Sequence, residues 1–329
     1  MNNDKVAIAR CSDYSKNLLE DSVGKIFSFF GGPQKIIRPG QKVLLKPNLI
    51  SSPKIHKGGT THPQIIETLI KVVKKCNAQV FLSDSPAFGS AIGVSRECGI
   101  EEICKRYDVP IIEFKRKKVD TRNPGIKKYF YQNINSKLRK KISRLSTVTE
   151  SVRDFDIIIN LPKLKSHAQM LFTGAIKNLY GCISGKVKVW RHFLVNNNVE
   201  IFSLFVLSIY DIVRPEFTIV DAVDVLESRD SQNGGVKRRG ILFGGINCVS
   251  IDTVISHYIG QEISDVPILN TARKYGYGIT DINDITVFGD KIQRMLDFRV
   301  PKKLMPISFS LGRIFKSIFK QLRILIKEK

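Results

Sequence analysis

Asn160 to His192 reads NLPKLKSHAQMLFTGAIKNLYGCISGKVKVWRH and follows the apolar run Asp156-Ile157-Ile158-Ile159. A short apolar run bounded by polar residues is the pattern of a buried strand. Lys163, Lys165 and His167 leave the end of that strand together. Thr173 to Asn178 reads as the opening of a helix, and Gly181 and Gly185 let the backbone turn tightly after it. A strand that hands polar residues to a loop and a helix start is where open α/β folds place their ligands.

The same rhythm extends in both directions. Val6–Ala9, Lys42–Leu45, Val80–Leu82 and Val109–Phe114 read as strands before it; Phe217–Val220, Ile241–Gly245 and Ile285–Phe288 read as strands after it. Helical patterns lie between them, at Ser15–Phe30, from Pro63 to about Cys76, within Gly89–Tyr107, and at Val199–Val213, Ser250–Ile259 and Val266–Tyr275. This alternation predicts an α/β fold, a mostly parallel sheet with helices on both faces. One domain over residues 1–300 is expected, with a basic insertion at about 115–150 and a tail at 301–329.

Four strands end in chemically useful side chains. These are Lys46 and Asn48, Asp84, the Lys163–His167 group, and Asp221 with Asp224. In a parallel sheet such ends lie on one edge, so a single cleft is expected. Lys46, Asn48, Lys163, Lys165 and Asn178 are the candidate substrate-binding residues, since lysines hold phosphate or carboxylate as point charges. His167, Lys177 and His192 are the candidate catalytic residues: imidazole suits proton transfer near neutral pH, and a desolvated lysine can act as a nucleophile. Asp84, His167, His192 and Asp221 are the candidate ligands of a divalent transition metal. Each of these residues also has an ordinary reading, as a helix cap, a solvated lysine or a structural histidine.

The chain has 329 residues, 43% of them hydrophobic, and a formal net charge of +23. That balance points to an anionic partner. Lys115 to Arg144 carries 12 Lys or Arg against one acid, and Pro301 to the end carries eight against one, so the two segments hold 18 of the 23 excess charges. Tyr129, Phe130 and Tyr131 among the first set of lysines fit either a nucleic-acid surface or an insertion with its own small core. In the tail, Leu311, Ile314, Phe315, Ile318, Phe319, Leu322, Leu325 and Ile326 follow helical spacing, with cations opposite. A basic amphipathic helix over residues 308–327 is expected, lying on an anionic membrane surface or packed against protein. The six cysteines form no C-x-x-C pair, so no iron–sulfur cluster motif is present. No apolar leader is seen, and a cytoplasmic protein, peripheral at the inner membrane surface through its tail, is expected.

KPNL at Lys46–Leu49, THP at Thr61–Pro63, DSP at Asp84–Pro86, LPKLKSH at Leu161–His167, TGAIKNLYG at Thr173–Gly181 and VDA at Val220–Ala222 occur in order. Together they resemble the prokaryotic domain-of-unknown-function family 362 over roughly residues 5–290. The resemblance implies an α/β fold and leaves the chemistry open. Many relatives carry a four-cysteine ferredoxin segment that this chain lacks, and Ser228-Arg229-Asp230-Ser231 stands where the family usually has a Gly-Pro-rich turn. The order and spacing of His167, Lys177 and His192 are also similar to those of the nickel-pincer lactate racemase family, where the lysine carries the cofactor and the histidines serve metal and proton transfer. The expectation is an enzyme, isomerase- or oxidoreductase-like, that binds an anionic small molecule in the cleft with a metal. The alternative is a nucleic-acid-binding or membrane-surface scaffold without catalysis.

Overall fold

The computed structural model describes residues 4–50, 56–114, 133–145, 148–183, 191, 194–195, 197–227 and 235–306. Among them, nine strands form one sheet: β1 Lys5–Arg10, β2 Lys42–Pro47, β3 Gln79–Leu82, β4 Ile157–Leu161, β5 Lys163–His167, β6 Leu171–Thr173, β7 Phe217–Glu227, β8 Gly235–Gly245 and β9 Thr286–Gly289. The order across the sheet is β3-β2-β4-β7-β8-β1-β9, with β5 pairing both β7 and β6. Pairings β2–β3, β2–β4, β4–β7, β5–β7 and β1–β9 are parallel, and β5–β6, β7–β8 and β1–β8 are antiparallel. The sheet is therefore mostly parallel, as the alternation of elements predicts.

Alternation of side chains along the strands sends neighbours to opposite faces. Val43, Leu45, Ile157, Ile159, Phe217 and Ile219 join the core beneath α1 (Lys16–Ser28), α3 (Pro63–Lys75), α4 (Ala91–Glu97) and α5 (Ile100–Arg106). Leu44, Ile158, Val220 and Phe243 join the core on the other face. That face is covered by α6 (Ser136–Leu145), α7 (Ala175–Asn178), α8 (Val199–Val213), α9 (Cys248–Tyr258) and α10 (Pro267–Lys274). A short α2 (His56–Gly59) precedes α3. The helix expected at Pro63 begins there, and the His62 side chain caps it by accepting the backbone N–H of Gln64.

Three expectations change in detail. Lys163–His167 is not a loop but the strand β5, because the Pro162 carbonyl accepts the Asp221 N–H at 2.8 Å and the chain stays on β7. Asp221 and Asp224 do not follow a strand: β7 runs on to Glu227, where it pairs back with β8. Residues 109–114 make a single bridge, Leu82 to Ile111, rather than a strand.

Within the basic insertion, α6 buries Ile142 and Leu145 and leaves Lys137, Arg139, Lys140, Lys141 and Arg144 exposed. Residues 115–132 of that insertion and the predicted tail helix lie outside the described residues. The chain just before the tail is held to the domain. The Met305 N–H donates to Ala168 O at 2.8 Å, and Gln169 Nε2 to Pro306 O at 2.8 Å.

Phe217 is fully buried, stacked on Phe27 at 4.7 Å between centroids and edge-on to Phe30 at 5.1 Å. Phe217→Ala should cost about 3–5 kcal/mol of unfolding free energy by denaturant titration. Val287→Ala, at a position 37% exposed, should stay within about 0.5 kcal/mol of wild type.

Candidate functional site

The cluster starts with Lys46. It lies in β2 with its side chain fully buried, and its Nζ sits 2.8 Å from Asp84 Oδ1 and 3.1 Å from Pro47 O. Asp84 follows β3, the neighbouring parallel strand, so the pair is set by strand register. Its second oxygen accepts the Leu49 N–H at 2.9 Å. Gly181 is pressed onto this pair; a Cβ there would collide with both Asp84 Oδ1 and Lys46 Nζ. The glycine is thus needed for close approach rather than for an unusual backbone angle.

A second pair lies on the adjoining strands. Lys163 of β5 is opposite Asp221 of β7, with Nζ 2.8 Å from Asp221 Oδ2. Lys163 also donates to the Tyr14 hydroxyl at 2.7 Å, and that hydroxyl donates to Asp221 Oδ1 at 3.0 Å. The His62 N–H donates to Asp221 Oδ2, and the His62 ring stacks on Tyr14 at 3.5 Å and 7°. Burial drives the Lys163 ammonium below its ordinary range, with Asp221 opposing. Burial also lowers His62 to about 4, partly offset by Asp221, so its imidazole is neutral at physiological pH.

Lys165 is different. It stands two residues after Lys163 on the same face of β5, and its Nζ donates to Asn48 Oδ1 at 2.9 Å and to Gly59 O at 2.7 Å. Both acceptors are neutral. Burial holds this amine well below its ordinary range; Lys177, Lys163 and Lys46 push it the same way, and Asp84 opposes them. Lys177 is half-buried, with its Nζ 4.5 Å from the centre of the Tyr180 ring. Asn178 donates to Asn160 Oδ1 at 2.8 Å and to the Lys46 carbonyl, and Asn160 donates to Ala175 O, so α7 is tied to β2 and β4.

The other end of α7 is held by Asp252 of α9. Its two oxygens accept the Ala175 N–H at 2.6 Å and the Ile176 N–H at 3.0 Å. A side chain on Gly174 would strike this carboxylate.

Lys46, Lys163, Lys165, Asn48, Asp84, Asp221, Lys177 and Asn178 therefore belong to one connected neighbourhood. His167 has a different place. It ends β5, and its Nδ1 accepts the N–H groups of Gln169 and Met170, closing the β5–β6 turn. His192 lies outside the described residues. The aspartates proposed as metal ligands already accept ammonium and backbone N–H groups on both oxygens, and a cation beside either would face a lysine. This donor set does not fit a metal, and no group of three His, Cys, Asp or Glu suited to one occurs among the described residues. Tyr14, Asn160 and Asp252 belong to the neighbourhood but were not singled out from the sequence. Asn160 within an apolar strand and Asp252 within an apolar helix were the available signals; Tyr14 had none.

The profile of the family "Domain of unknown function (DUF362)" matches residues 43–257. The chain belongs to this family. It is 29% identical over 316 residues to the thylakoid-associated protein sll1697 of Synechocystis sp., covering 96% of this chain and 93% of that protein. Among solved structures it is similar to the lactate racemase apoprotein from Thermoanaerobacterium thermosaccharolyticum, with a TM-score of 0.47 and 10% identity over 80% of this chain. The chain spans 57% of the length of that protein. The family match takes in Lys46, Asp84, the whole of β5 and α7, and Asp221.

Burial raises the Asp252 carboxyl to about 7, against the pull of its two backbone N–H partners. The folded chain thus holds an extra proton between roughly pH 4 and 7. The stability this adds is complete below that window and is lost as pH rises through it. Asp252→Asn cannot titrate. The stability of wild type relative to Asp252→Asn should therefore fall, on the order of a few kcal/mol, as pH goes from 4 to 8 in parallel denaturant titrations.

Proposed function

We propose that the chain is an enzyme whose buried lysine cluster, at the carboxyl ends of β2, β3 and β4 and along β5, binds an anionic small molecule. The observation that carries this reading is Lys165, whose buried amine donates, among the described residues, only to neutral oxygens, with Lys177, Lys163 and Lys46 acting on it against Asp84. An incoming phosphate or carboxylate supplies negative charge beside a group of lysines that has more ammonium groups than carboxylates around Lys165. Lys46 and Lys163, each set against an aspartate, keep the surrounding field in place, while Asn48, Lys177 and Asn178 border the same space. A resident metal at Asp84 and Asp221 is not part of this reading.

Thermal unfolding against phosphate and short mono- and dicarboxylates tests it. At 100 times its dissociation constant, a matched anion should stabilise wild type by about 2.7 kcal/mol, read as a rise in melting temperature. Lys165→Met should lose that response. A flat response of wild type to every anion overturns the proposal. Stabilisation by single-stranded oligonucleotides alone favours the competing nucleic-acid reading.

A second reading concerns location. Among the described residues no helix is long and apolar enough to cross a membrane, and the relative from Synechocystis carries the description thylakoid-associated. We propose peripheral binding to an anionic membrane surface through residues 308–327. The full chain should float with acidic vesicles at low salt, and its Arg313→Glu, Lys316→Glu, Lys320→Glu, Arg323→Glu variant should not. Equal flotation of the two excludes the tail as the anchor.

A further inference from the structure

Three buried lysines share this site, and their surroundings divide them. Lys46 and Lys163 each have a carboxylate oxygen at 2.8 Å. Lys165 instead donates to an amide oxygen and a backbone carbonyl. A desolvated amine with no carboxylate among its hydrogen-bond partners in the described residues, and with three lysines acting on it against one aspartate, is the arrangement that leaves a lysine neutral and nucleophilic. The same three lysines attract a carboxylate. The two properties together define a substrate that carries both an electrophilic carbon and a negative charge.

We infer that Lys165 forms an imine with the carbonyl carbon of an oxo-carboxylate held in this site. The inference rests on the anion-binding reading above and adds the substrate class and the covalent step. The Lys165 Nζ lone pair attacks the carbonyl carbon, forming a C–N bond, and the carbonyl π pair moves to oxygen. The two amine protons pass to that oxygen in succession, which leaves as water, giving the imine. Protonated from the medium, it becomes an iminium that draws electrons from the adjoining carbon. No oxidant or reductant enters. Asn48, which accepts from Nζ at 2.9 Å, is itself half-buried, so this contact is the one on the more exposed side of the amine that a substrate oxygen can replace. The carboxylate is assigned to Lys177, whose α7 is tied to β2 and β4 through Asn178 and Asn160 and whose charge acts on Lys165.

The test uses the full chain with pyruvate and cyanoborohydride, which reduces an imine to a stable secondary amine. Intact mass should rise by one reduced pyruvate, and peptide mapping should place it on Lys165. At pH 7 and short reaction times, labelling of Lys165 should outpace that of the exposed lysines Lys16, Lys74 and Lys105. These act as internal controls, so the result does not depend on a variant folding. Lys165→Arg should remove the adduct. Absence of adduct, an adduct on another lysine, or Lys165 labelling only in step with the surface lysines overturns the inference. Stabilisation by pyruvate with no adduct overturns the imine and leaves the anion site standing, whereas no response to any anion removes both.

Discussion

An ammonium group inside a sheet must find acceptors, because moving it out of water costs several kcal/mol even after relaxation. Much of this molecule's local design answers that requirement. Lys46 and Lys163 meet carboxylates carried by adjacent strands, and each carboxylate is in turn held by backbone N–H groups. Gly181 is small because the first pair fills the space beside it, and Tyr14 and His62 stack where they do because the second pair needs a hydroxyl and an N–H. Such pairs add little to stability compared with a hydrophobic isostere, and they fix which strands lie side by side and in what register. Lys165, without a carboxylate, is the exception on which the functional reading turns.

Pro162 makes the arrangement possible. It has no N–H to offer a ladder, and its carbonyl accepts the Asp221 N–H at 2.8 Å. Before it, β4 runs beside β2 and β7; after it, β5 keeps β7 and exchanges β2 for β6. The exchange opens the sheet at the point where Lys46, Asn48 and Asp84 emerge from β2 and β3, so residues on β5 can face them.

Most of this architecture could be read from the sequence. The apolar run Asp156–Ile159 and the period of Val199–Val213 located β4 and α8 to within a residue or two. The lysines, asparagines and Asp84 that gather at the site were visible because charged residues cluster at strand ends. What sequence periodicity could not convey was pairing direction. A single-residue pattern says that Asp221 follows an apolar run, not that the run continues and turns back as β7–β8. Tyr14 was beyond reach for a related reason: its partners are about 150 and 207 residues away in the chain, and nothing local marks a tyrosine that will serve a distant ion pair. His167 shows how one residue type serves two ends, since its Nδ1 closes a turn and nothing in the local pattern marks that use.

β1 has only two neighbours in the sheet, β8 and β9; Val6 lies opposite Gly245 and Val287. This strand precedes both partners in the chain by more than two hundred residues, so it is synthesised well before either. During synthesis an apolar segment, Val6-Ala7-Ile8-Ala9, therefore has no strand to pair with until more than two hundred further residues have been made. Closing so long a loop makes contact order high and assembly slow, and an unpaired apolar strand invites intermolecular pairing meanwhile. The flanking Lys5 and Arg10, with Lys16 soon after, place positive charge on both sides of that segment, the pattern by which charged residues guard an apolar strand against pairing between copies.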